Sequence, residues 1–116
     1  MHTSERKYRE WEELFRGLGC IITGATYGVQ IHHPIGRKGK HNKLLIGPKF
    51  ILPLHYDLHM AVGGHPNAYH KNKKGFIKEF GEPSDLFEQC LVKLEDEDWP
   101  IGLSEEELQA IREVRV

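Results

Sequence analysis

The chain has 116 residues, 39% hydrophobic and 28% charged, with a net charge of −1. That suits one domain with one modest core, and it excludes a collagen, a coiled coil or a mostly disordered chain. No run approaches the roughly 18–20 apolar residues of a membrane span, the polar N-terminus carries no secretory signal, and two distant cysteines, Cys20 and Cys90, suit a reducing cytoplasm.

In chain order, Ser4 can cap a first helix that ends near Gly17 and Gly19. Tyr8, Trp11, Leu14, Phe15 and Leu18 recur at three- and four-residue steps and give it one apolar face. A short strand is expected at Cys20–Ile22, then turns at Thr23-Gly24 and Tyr27-Gly28, then a second strand over Val29–His33 that Pro34 ends. Residues 35–49 read as a basic loop punctuated by Gly47-Pro48. Pro53 suits the first turn of a helix over about 54–62, which Gly63-Gly64 stops. A short stretch follows Pro66, and Phe76, Ile77 and Phe80 form an apolar set before Gly81. A helix from about Ser84 to Leu94 carries Leu86, Phe87, Cys90, Leu91 and Leu94. Ser104 with Glu107 makes a capping box for the last helix, with Leu103 and Leu108 as a staple. Helix, β-hairpin, loop, helix and further helices make an α+β fold.

Charge and histidine are unevenly spread. Residues 1–31 are neutral, residues 32–80 carry +7 and residues 81–116 carry −8. Seven of the eight histidines fall within residues 32–70, inside the basic block. That combination points to a polyanionic partner near a metal, against the plainer alternative of a solvated face with surface histidines. The acidic run Glu95-Asp96-Glu97-Asp98, before Trp99-Pro100, would repel nucleic acid and is expected away from the basic surface.

The histidines form three groups. His32-His33 ends a strand, where Pro34 lets neighbouring side chains approach one site. His55 and His59 are four apart, one turn along a helix face. Tyr56 after His55 excludes the zinc-protease motif, which needs glutamate there. His65 and His70 follow the glycine pair, whose reversal can bring His65 back over His59. Each group alone is most simply structural. Their order gathers several imidazoles where a hairpin meets a helix, a donor set that suits zinc.

At this point a resemblance emerges. Leu18-Gly19-Cys20-Ile21-Ile22, Ile31-His32-His33, Ile51 through His59, Gly63 through His70, and Phe76 through Gly81 together resemble the Ref family. These are phage-type recombination-enhancement nucleases of the HNH, or ββα-metal, superfamily, described as RecA-dependent. The similarity spans roughly residues 10–92. It implies an HNH-like nuclease domain over residues 1–94, followed by an acidic linker and C-terminal helix over residues 95–116. It also implies a DNA endonuclease active in recombination, with DNA and a RecA filament as partners. His33 would be the general base, and His32, His59, His65 and His70 metal ligands. The cofactor would be a divalent cation: zinc bound, with magnesium or manganese able to support turnover. Arg37, Lys38, Lys40, Lys43 and Lys49 would contact DNA phosphates. The nearest match to the middle asparagine of the motif is Asn42.

The chain also departs from the family. Relatives hold a structural zinc with cysteines, of which Cys20 remains here, while Thr23 and His55 replace two others and Leu58 stands where histidine is common. Cys20 and His55 therefore mark a structural or former zinc position. The alternatives are a catalytically inactive metal-binding module that binds DNA or a recombination protein, and a small structural protein without metal.

Overall fold

The computed structural model describes residues 3–60, 62, 64–96 and 102–116. Glu97, Asp98, Trp99 and Pro100 of the acidic segment, and Gly63 of the glycine turn, lie outside them. Five helices and two small antiparallel sheets make the described residues an α+β structure.

The apolar stripe of the first segment forms helix α1, Thr3–Leu18, so Ser4 falls inside it rather than capping it. Trp11 and Phe15, one turn apart, are buried. Phe15 faces helix α4, Pro83–Asp96, which buries Leu86, Phe87, Cys90, Leu91 and Leu94, while the Trp11 indole donates to the Lys49 carbonyl at 2.8 Å. Pro83 opens that helix with a preset φ at a position whose N–H has no helical partner. Phe87 is the hub: its ring lies 5.6 Å from Phe15 in a stack and 5.6 Å edge-on from Phe50.

The expected strand at Cys20–Ile22 is instead a turn. Gly19 and Gly24 adopt φ of +80° and +78°, and the Cys20 and Gly24 amides donate to Ala25 and Cys20 carbonyls. Closed on itself, the segment cannot pair in a hairpin. Strand β1, Val29–His32, pairs antiparallel with strand β4, Leu52–His55, and sets Ile31 opposite Pro53 and His32 opposite Leu52. Pro53 is therefore a strand residue rather than a helix start. Its carbonyl accepts from the Ile21 amide at 3.0 Å, on the side away from β1. A strand residue's N–H and C=O face the same side, so the missing N–H costs the β1–β4 ladder nothing. Burial also favours the strand: Ile51 through His55 are all buried, as a covered strand requires.

Between them, the basic loop holds a small hairpin of β2, Lys40–His41, and β3, Leu44–Leu45. Asn42 and Lys43 turn it with φ of 51° and 67°, the left-handed pair that a two-residue hairpin needs. Helix α2 is a single turn, Tyr56–His59, not the helix expected to residue 62, because Met60 is already extended. Helix α3, Lys73–Phe80, is capped by Asn72 and buries Phe76. Helix α5, Glu105–Glu113, carries the expected capping box, with Ser104 Oγ accepting from the Glu107 amide at 3.1 Å. It buries Ala110 and Ile111 in the common core, and Ser84 of α4 donates to the Val114 carbonyl at 2.9 Å.

Truncating the hub should be severe. Phe87→Ala is expected to cost about 3–5 kcal/mol in urea unfolding, a large part of the roughly 5–15 kcal/mol available to a small domain.

Candidate metal centre

Strand β1 places Gln30 and His32 on one face, two residues apart. His32 is the innermost histidine, 3% exposed, against the ring of Tyr69 at 4.0 Å between centroids. His59 is the last residue of α2. The chain then returns: the Tyr69 amide donates to Leu58 O at 2.7 Å and the His70 amide to His59 O at 3.1 Å. These two bonds lay His70 beside His59. The ring centroids are 4.9 Å apart for His32–His59, 5.3 Å for His32–His70 and 4.8 Å for His59–His70.

One nitrogen from each of His32, His59 and His70 lies within 4.8 Å of the others, so the three can hold a metal ion. The fit can be tested atom by atom. The Nε2 atoms of His59 and His70 face each other at 3.2 Å. Two imidazole nitrogens on a tetrahedral zinc, each roughly 2.0–2.1 Å from it, stand about 3.3 Å apart. His59 Nδ1 donates to Gln30 Oε1 at 2.8 Å, which leaves the Nε2 lone pair facing the cluster. His32 Nε2 is buried with no hydrogen-bond partner, a condition that a metal bond would relieve. Three imidazoles suit a borderline divalent ion and leave coordination positions open.

The electrostatics keep His32 and His59 uncharged. Burial, reinforced by His59 and His70, pushes His32 down from 6.5 to about 2. Burial and His70 lower His59 to about 4. Neutral imidazole is the form that binds metal.

His33 lies beside the cluster. β1 ends at His32, and the His33 carbonyl closes a turn by accepting from the Gly36 amide at 3.0 Å. Its imidazole is lowered to about 4 by burial, then by Arg37 and His59, and its Nε2 has no partner.

The structure does not bring His65 to the cluster. Its Nδ1 accepts from the Asn67 amide at 2.9 Å and its Nε2 lies 3.4 Å from Glu79, so both nitrogens are engaged elsewhere and His70 completes the trio. Cys20 and His55 are buried, but they join no group of three donors among the described residues. Cys20 Sγ accepts from the Thr23 amide at 3.5 Å, and His55 Nδ1 from the Asp57 amide at 3.2 Å. Asn42 is at the hairpin tip, donating to Glu113 at 3.3 Å.

Among the expected phosphate contacts, Lys38, Lys40 and Lys43 are exposed. Arg37 stands 3.6 Å from Glu12, and Lys49 is bonded to Glu107 at 3.1 Å, so Lys49 serves the join between the loop and α5. The sequence reading missed Gln30, whose signal was its place two residues before His32, and Tyr69, the wall against His32. No family model, no curated protein and no solved structure matches the chain.

Two predictions follow from this geometry. Gln30→Ala should weaken zinc binding by roughly 10–100-fold in a chelator competition, because His59 loses the acceptor that sets its tautomer. The metal-free protein should lose stability as pH falls. The unfolded chain protonates near 6.5, while folded His33 and His59 resist until about 4 and His32 lower still. Unfolding free energies should therefore be flat above neutrality and decline steadily below about pH 6.5.

Proposed function

We propose that this chain is a metal-dependent DNA endonuclease with a ββα-metal core of β1, β4 and α2, and that His33 is its general base. The observation that carries the reading is the pairing of roles at the end of β1: His32 lies in a three-histidine cluster with His59 and His70, and His33 lies just outside it. A nuclease of this kind needs a cation site and a neighbouring uncharged base, and that dipeptide supplies both.

His32, His59 and His70 hold the cation, and Gln30 orients His59. The chemistry a bound divalent ion supplies is stabilisation of negative charge on the phosphodiester. His33 takes the proton of the attacking water. Its low proton affinity in the free protein keeps it uncharged at neutral pH, and a phosphate at the site raises that affinity toward the working range. Arg37 lies near enough to His33 to oppose its protonation. Zinc fits the imidazole set, and magnesium or manganese can serve turnover at the open positions. Membership of the Ref family, a RecA filament as partner and a cytoplasmic role in recombination follow from the resemblance and belong to the same proposal.

The test is cleavage of supercoiled plasmid and single-stranded circles with each of the three ions, with and without a RecA filament. His33→Ala should lower the rate by at least about 100-fold while zinc stoichiometry is kept. His59→Ala should lose both. No cleavage by folded, metal-loaded protein under any ion would sink the nuclease reading and leave a metal-binding module.

A further inference from the structure

The +7 block of residues 32–80 is not one free surface, because α5 answers part of it. Lys49 is bonded to Glu107, and His41 and Asn42 both reach Glu113, at 3.1 and 3.3 Å. Glu105, Glu106 and Glu113 line one groove with His41 and Lys43. A polyanion arriving at the β2–β3 tip therefore meets carboxylates beside Lys43 and Lys49.

The other basic stretch is His70-Lys71-Asn72-Lys73-Lys74. It begins at a residue of the histidine cluster, and all five side chains are exposed. The first turn of α3 carries no acid. Lys73 and Lys74 make no ion pair among the described residues, and Lys73 stands close enough to His32 to oppose its protonation. The backbone under these lysines is fastened. Asn72 Oδ1 accepts from the Gly75 amide at 3.1 Å, and Asn72 Nδ2 donates to Asn67 Oδ1 at 3.1 Å. Asn67 in turn donates to Glu79 at 3.0 Å. A Cβ at Gly75 would stand 2.4 Å from both Asn67 Oδ1 and Asn72 Nδ2, so the locked asparagine pair requires glycine at that position. Lys78, one turn beyond Lys74, continues the stripe along α3.

We infer that the surface gripping the nucleic-acid backbone is the fastened lysine run Lys71, Lys73 and Lys74 beside His70, not the loop of residues 37–49. This rests on the nuclease reading, because it names where that substrate's phosphates lie relative to the same centre. Lysines on a fixed backbone give point-charge contacts without base choice, so the grip is salt-sensitive and sequence-tolerant.

The experiment compares two triple variants on a His33→Ala background, which keeps the probe intact. One is Lys71→Ala/Lys73→Ala/Lys74→Ala and the other is Lys38→Ala/Lys40→Ala/Lys43→Ala, both zinc-loaded. Binding of a fluorescein-labelled oligonucleotide, single-stranded and duplex, is read by anisotropy across a salt series. Near-UV circular dichroism and zinc stoichiometry confirm that each variant is folded. The run variant should bind at least about tenfold more weakly at low salt, with a salt slope shallower by about two, and the loop variant should change by less than about threefold. An equal or larger loss in the loop variant overturns the inference and leaves the nuclease reading standing. A parent protein that binds neither probe at low salt overturns both.

Discussion

His32 stands opposite Leu52 because β1 and β4 pair in a single register, and the histidine centre depends on that pairing. The register brings the end of β1 against the start of β4, the strand that leads directly into α2 and His59. It also turns Gln30 and His32 to one side, so the strand contributes both a donor and the group that aims another donor. A slip of one residue would exchange the faces and present Ile31 to the cluster.

The third donor arrives by a different route. Two amide bonds, from Tyr69 to Leu58 and from His70 to His59, stitch the returning chain to α2. A helix of one turn is weak by itself, because nucleation fixes several residues for few bonds. Here the returning strand of chain takes up its carbonyls, and Tyr69 closes the wall against His32. The centre is thus assembled from three separately held pieces, and its buried, partnerless His32 nitrogen is a cost of roughly 1–3 kcal/mol that the metal-free fold carries.

Much of the frame was legible in the sequence. The α1 stripe, the α4 helix and the Ser104–Glu107 box follow local periodicity and capping, which nearby residues decide. The partner of β1 was not legible. Pro53 before a polar-apolar mixture reads locally as a helix start, and only the distant Ile21 amide reveals which edge its missing donor faces. The histidine order marked the centre, but its membership turned on the path from residue 64 to 70. There, His65 is captured by Asn67 and Glu79 and His70 is carried inward. Charge blocks along the chain likewise could not show that α5 lies against the basic hairpin. That contact joins residues 58 to 72 positions apart and is set by the core beneath.

Pro53 has a consequence beyond the site. Phe50 through Leu54 is the most apolar stretch of the chain, and a two-stranded sheet leaves one side of each strand without a ladder neighbour. On another backbone, such a stretch would be a template for strands of other molecules during synthesis or partial unfolding. The proline leaves no N–H at the middle of that outer edge, and the one carbonyl there is taken by Ile21. The residue that disguises β4 in the sequence thus also acts as its gatekeeper against self-association.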